Sequence, residues 1–209
     1  MRYYPVFLNL EGKRCIVIGG GTIAERKVLA LLDAGAAVTV ISPELTERLA
    51  GLKRAGQIEH TPRGYQDGDL KGAFIVIAAT SDMDVNRKVA GDAGNIPVNV
   101  VDVPALCTFI VPSVIKRGKL TIAVSTSGAS PALSGSIREE LEDLYMEEVG
   151  GLLQHLAEIR KTLTESDIPP EKRTVILKRL GSREVLHILR AEGLQGALRH
   201  IQDMVDHSG

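Results

Sequence analysis

The stretch Arg14-Cys15-Ile16-Val17-Ile18-Gly19-Gly20-Gly21-Thr22-Ile23-Ala24 sets the reading of this chain. Residues 14–18 form a short apolar, β-branched run that stops at three glycines, the pattern of a buried parallel strand. From Ala24 to Ala34 the apolar residues Val28, Leu31 and Leu32 recur at helical spacing, and Gly35 stands where a C′ residue ends a helix. Gly19 to Ala24 fits G-x-G-x-x-A between that strand and that helix. In this pattern Gly19 permits the tight turn, Gly21 lets a pyrophosphate approach the backbone, and Ala24 allows close helix–strand packing. Unpaired N–H groups near Thr22 and Ile23 would then face the phosphates.

A second strand is predicted at 37–41 (AVTVI), and a helix over 43–54 with Pro43 near its first turn and Ser42 as its cap. A weaker strand lies near 57–61, a strong one at 73–78 (AFIVIA), and another at 98–101 (VNVV). Between the last two, Thr80-Ser81-Asp82 opens a helix that runs to about Ala93. Strands alternating with helices of this size imply right-handed βαβ crossovers and a parallel sheet. The predicted class is therefore α/β, with a Rossmann-type nucleotide-binding domain over residues 1–112.

The character changes after Pro112. A strand is expected at 120–124 (LTIAV), a turn at Ser125-Thr126-Ser127-Gly128, and a helix opening at Ser130-Pro131 with Leu133, Ile137, Leu141 and Leu144 on one stripe. Residues 147–209 are helical in pattern throughout: one stripe holds Leu152, Leu156, Ile159 and Leu163, and Ile168-Pro169-Pro170 breaks it. Another holds Val175, Ile176, Leu177 and Leu180 up to Gly181, and the last carries Val185, Leu186, Leu189, Leu198, Ile201 and Val205.

Composition narrows the function classes. The chain has 209 residues, with 25 Lys and Arg against 26 Asp and Glu, so a globally basic nucleic-acid face is not expected. Aromatics at 3% leave little material for base stacking. No apolar run reaches membrane-span length, and residues 1–14 lack a signal-peptide h-region. The two cysteines, Cys15 and Cys107, form neither a disulfide framework nor a zinc spacing, and neither carries a nucleophile motif. His60, His155, His187, His200 and His207 show no metal-ligand spacing, so no bound metal is assigned. A cytoplasmic protein is the expectation.

The cofactor-facing candidates beyond the glycine turn are Ser42, Pro43 and Glu44 after the second strand, and Thr80 after the fourth. The dinucleotide fingerprint places an acidic residue at the end of the second strand, and here the first carboxylate is Glu44. Ser42 and Glu44 either contact the ribose or cap the helix. No arginine follows immediately, which favours NAD over NADP. Asn99 and Asp102 lie at the carboxyl end of a sheet strand, the edge where ligands bind in open α/β sheets. Asp102 either accepts a proton there or starts an Asx turn before Pro104. Ser125, Thr126 and Ser127 precede a helix N-terminus and either make a seat for carboxylates or phosphate or belong to ordinary capping by Ser130; Lys116, Arg117 and Lys119, close in sequence, either join that seat or are solvated surface.

Taken in order, VIGGGTIAERK, IAATSDMDVNRKV, NVVDVP, FIVPSVI and AVSTSGASPALSGSIREELE resemble the sirohaem-synthase dehydrogenase family over about residues 1–145. The resemblance implies NAD-dependent oxidation of precorrin-2 to sirohydrochlorin, and in some members insertion of ferrous iron. It implies a homodimer that interlocks through a dimerisation segment, 113–146, followed by the all-helical C-terminal region. It gives Asp102 the acid/base role and matches the family's serine-rich turn at Ser125 to Ser127; since that substrate is a polycarboxylate, Lys116, Arg117 or Lys119 is expected to give the cleft a positive rim, with Asn99 also toward the tetrapyrrole. The position reported as a modified serine in that family is Thr126 here. Two other functions compete with this one: a non-catalytic NAD-sensing module, and a chelatase alone, against which the intact glycine turn argues.

Overall fold

β1 (Arg14–Ile18) is the middle of a five-stranded sheet in the order β3-β2-β1-β4-β5, formed with β2 (Ala37–Ile41), β3 (Ile58–Thr61), β4 (Ile75–Ala78) and β5 (Val98–Val100). The computed structural model describes residues 3–206. Every pairing in this sheet is parallel. Residues 15–18 and 75–78 are buried without interruption, as strands covered on both faces must be. Alternate residues feed opposite layers. Cys15, Val17, Val38 and Val40 pack with Ala24, Val28 and Leu31 of α1 (Thr22–Asp33) and Leu49 of α2 (Glu47–Arg54). Ile16, Ile18, Val76 and Ala78 pack with Val89 of α3 (Met83–Asp92). Each fully buried valine or isoleucine here contributes about 1.5–3 kcal/mol relative to an exposed one.

The sheet has the Rossmann-type arrangement that the sequence predicts. β2 and β4 flank β1 on opposite sides, so the loops leaving β1 and β4 diverge at a topological switch point.

A first compact unit extends through Val111, and a second begins at Pro112. The second contains an antiparallel pair, β6 (Ser113–Arg117) and β7 (Leu120–Val124), and the helices α4 (Pro131–Leu144), α5 (Glu148–Glu165), α6 (Pro170–Leu180) and α7 (Arg183–Asp206). Val149, Leu152, Leu163, Ile176, Leu180, Leu189, Ala197 and Ile201 make its core. α7 is interrupted at Gly193, whose φ of 71° is not helical.

Three local expectations are corrected. α2 starts at Glu47 rather than Pro43, because Thr46, not Ser42, accepts the Leu49 N–H as cap. α1 starts at Thr22, two residues before the apolar stripe begins. β6 is a strand that periodicity did not mark: Ile115 is its one buried residue, and its pairing with β7 holds it extended. His207 lies outside the described residues.

Candidate functional site

The three glycines perform different jobs. The Gly19 N–H donates to the Ile41 carbonyl at 2.9 Å, and with φ of 118° a Cβ at Gly19 would overlap the Ala79 carbonyl. That contact is the close approach of the β1 and β4 loops. Gly20 is equally constrained: a Cβ there would overlap the Glu44 carbonyl oxygen and crowd Ser42 Oγ. The motif treats this position as free, so sequence reading missed it. Gly21 differs, since it has ordinary extended dihedrals and nothing lies within 4 Å of where its Cβ would be.

The loop before α2 braces the turn. The Thr46 N–H donates to Gly20 O at 3.0 Å, and Thr46 Oγ1 donates to Glu25 Oε2 at 2.6 Å. α2 and α3 have their first N–H groups capped by the Thr46 and Asp82 side chains, whereas no side chain caps α1 at Gly21. An open approach at Gly21, exposed Thr22 and Ile23, and an uncapped helix start fit a dinucleotide's pyrophosphate. Ala24, wholly buried, lets α1 lie close on the sheet.

The neighbouring candidates separate by environment. Ser42 is buried, and its hydroxyl donates to Glu44 O at 2.6 Å. Its carbonyl lies 2.9 Å from His60 Nε2, while His60 Nδ1 is 3.3 Å from Lys53 Nζ. A lysine only donates, so Nδ1 accepts and the Nε2–H faces Ser42. Pro43 and Glu44 are placed at the edge, Pro43 exposed and Glu44 beside it. Thr80 Oγ1 lies 2.9 Å from both Asp82 O and Asn86 Oδ1, and Asn86 Nδ2 donates to Thr80 O at 3.0 Å. Asn86 is only 2% exposed, a buried amide that holds the post-β4 loop in shape. It was not singled out from the sequence; a polar residue on the inward face of α3 is its only signal.

Asp102 follows β5 at the same carboxyl edge. The Val101 N–H donates to Ala78 O at 3.0 Å, and the Val103 N–H donates to Val100 O at 3.2 Å. Asp102 is thus the third residue of a tight turn, with φ of 60°, and its side chain is exposed. An L-residue in the left-handed region is uncommon, and aspartate is among the few that tolerate it. Lys27, half-buried on α1, carries a charge that interacts with Asp102 and Cys107. Burial first, then the nearby Arg26 cation, hold its ammonium below the usual lysine range, and Asp102 pulls the other way. Asn99 is buried, and its amide donates to Phe109 O at 3.1 Å, so the side chain anchors the returning chain. Burial pushes the Cys15 thiol up, away from reactivity.

In the second unit, Arg117 sits against its own fold. Its Nε donates to Tyr145 O at 3.0 Å, and Nη1 lies 3.0 Å from Glu147 Oε1. Lys116 and Lys119 are exposed. In the turn after β7, the Ser127 N–H donates to Ser125 Oγ at 3.0 Å, Thr126 Oγ1 accepts the Ser130 N–H at 3.1 Å, and Ser130 caps α4 through Leu133. Ser127 also has a left-handed backbone, φ 54°. Among the described residues no group of three or more His, Cys, Asp or Glu side chains is placed to hold a metal ion. No helix among them is long and apolar enough to cross a membrane.

Comparisons with known proteins match both units. A family model described as "Putative NAD(P)-binding" covers residues 6–113, and one described as "Sirohaem biosynthesis protein central" covers residues 117–144. The siroheme synthase of Methylobacillus flagellatus is 46% identical over 167 residues, which is 79% of this chain and 36% of that protein. That of Nitrosomonas europaea is 37% identical over 211 residues, 100% of this chain and 44% of that protein. The chain thus spans between about a third and a half of these curated relatives. The solved structure of "SirC, precorrin-2 dehydrogenase" superposes with a TM-score of 0.82 at 29% identity, covering 96% of this chain and 100% of that one. With the glycine turn in its first unit and the central sirohaem-biosynthesis match over residues 117–144, the chain belongs to the NAD(P)-binding family and is similar to siroheme synthases.

Proposed function

We propose that this protein oxidises precorrin-2 to sirohydrochlorin with NAD, in the branch that leads to sirohaem. The observation that carries the reading is a carboxylate, Asp102, held in a left-handed turn at the same sheet edge as an open, uncapped glycine turn. The likeness to SirC, a precorrin-2 dehydrogenase, supports the choice of substrate.

Oxidation of precorrin-2 removes a hydride and a proton. NAD, when bound, supplies the hydride acceptor. The first N–H groups of α1 hold the pyrophosphate, Gly21 leaves it room, and Glu44, just past β2, is the carboxylate for the adenosine ribose. Thr80, locked by Asn86, borders the cofactor at the switch point. Asp102 accepts the proton, a role open to an exposed carboxylate. Within the second unit, the hydroxyls and N–H groups of Ser125, Thr126 and Ser127 at the start of α4 suit carboxylates such as the substrate's, and the exposed Lys116 and Lys119 add positive potential there. The guanidinium of Arg117 is held by Tyr145 and Glu147, so its contribution to substrate binding is through shaping β6.

The test is incubation of the purified chain with precorrin-2 and NAD, followed by absorbance of the reduced cofactor and of sirohydrochlorin. Stoichiometric formation of both is expected. NAD binding without turnover would instead favour the sensing module. A second arm starts from sirohydrochlorin and adds ferrous iron as co-substrate: if Asp102 also accepts the pyrrole protons, the spectrum changes again, and Asp102→Asn abolishes that change. Lys119→Glu is expected to raise the Michaelis constant for precorrin-2 about 3–10-fold with turnover within about twofold, the signature of lost uniform binding. Unchanged constants remove Lys119 from the site.

A homodimer belongs to the same reading. β6 and β7 form a sheet of two strands, and Val114, Leu133 and Leu144 nearby in the unit are exposed, surface that a second copy would cover. Sedimentation at micromolar concentration is expected to give twice the chain mass. A cytoplasmic location completes the proposal.

A further inference from the structure

β5 is an edge strand, and its outer groups are met by the returning chain. Thr108 Oγ1 accepts the Val98 N–H at 2.8 Å, and the Thr108 N–H donates to Val98 O at 2.9 Å. At the other end, nearer Asp102, the partner is a sulfur. The Val100 N–H donates to Cys107 Sγ at 3.2 Å, and Asn99 Nδ2 approaches the same atom at 3.6 Å. The thiol hydrogen has two acceptors in reach, Val100 O at 3.2 Å and Val103 O at 3.4 Å. Val100 and Val103 are the first and last residues of the turn that carries Asp102. One sulfur atom therefore touches both ends of that turn, from a residue beyond it in the sequence.

The turn needs such a clamp. A non-glycine residue at φ near 60° is uncommon even for aspartate, and it persists where its surroundings over-determine it. The backbone bond that closes the turn, Val103 to Val100, is 3.2 Å long. We infer that Cys107 is a positioning residue for Asp102: its thiol, bonded to Val100 and Val103, holds the aspartate's turn in the left-handed conformation that presents the carboxylate. No bond to sulfur forms or breaks in this role. The inference rests on Asp102 as the proton acceptor proposed above.

The test uses the full chain with Cys107→Ala and Cys107→Ser, each alone and combined with Asp102→Asn. Three quantities are followed: kcat and KM for precorrin-2 oxidation, NAD affinity, and amide hydrogen exchange at Val100 and Val103 against residues 16–18 of β1. Cys107→Ala is expected to lower kcat about tenfold with KM and NAD affinity within about twofold, a split that a general loss of structure would not produce. Cys107→Ser, which keeps a donor and an acceptor, recovers most of the loss. With Asp102→Asn in place, Cys107→Ala lowers the residual rate no further. Exchange at Val100 and Val103 accelerates about tenfold in Cys107→Ala while β1 is unchanged, and Cys107→Ser reverses it. The inference is overturned by unchanged kcat in Cys107→Ala, by an equal fold-loss with and without Asp102, or by a parallel loss of NAD binding. If the unmodified chain does not oxidise precorrin-2, the functional reading fails, and the exchange data alone decide: acceleration confined to the turn supports the clamp, and unaltered exchange refutes it.

Discussion

Asp102→Asn is expected to lower sirohydrochlorin formation by about 10²–10⁴-fold, the range that a positioned acid or base contributes. NAD affinity and thermal stability are expected to stay at wild-type values. The choice of asparagine follows from the backbone. With φ of 60°, residue 102 occupies a conformation that asparagine adopts as readily as aspartate. Alanine there pays the left-handed penalty, roughly 1 kcal/mol, and Asp102→Ala should melt about 2–4 °C lower. Comparing the two variants separates chemistry from strain: both lose activity, and only alanine loses stability. Normal turnover by Asp102→Asn would remove the carboxylate from the mechanism, whatever the fold.

The second large effect lies in the glycine turn, where adjacent positions are expected to fail differently. Gly21→Ala meets no protein atom within 4 Å and keeps an extended backbone, so the unliganded melting temperature should hardly move. Its methyl group instead occupies the approach to the helix N-terminus, and NAD affinity should fall at least tenfold, about 1.4 kcal/mol. Gly20→Ala drives a Cβ into the Glu44 carbonyl and against the buried Ser42 hydroxyl, so the loop before α2 must move. Overpacking of this kind costs about 1–3 kcal/mol, and the melting temperature drops before any ligand is added. Calorimetric titration with NAD and thermal melts with and without it make the comparison. If Gly21→Ala binds NAD normally, the pyrophosphate does not lie where the fingerprint puts it.

The sheet was legible because its signals are local. Residues 15–18 and 75–78 are apolar without interruption since both their faces are covered, and this is visible in the one-dimensional string. The glycine turn was legible for a similar reason: the motif is contiguous, and Gly19 and Ala24 have the tasks that the fingerprint assigns. Asp102 was open between a turn and a catalytic group on spacing alone, and the structure makes it a turn residue whose side chain is exposed.

Element type along residues 14–101, the parallel topology and the dinucleotide turn follow from periodicity, β-branching and glycine placement, which act within a few residues. What they leave open is which distant group each polar atom meets. Gly20 against Glu44, Asn86 against Thr80, Cys107 across the Asp102 turn and Arg117 on Tyr145 are separated by 4 to 28 positions in the chain. Most buried donors and acceptors take a partner, but the partner is chosen by packing once the layers assemble, because satisfying it depends on a distance in space that no local pattern encodes.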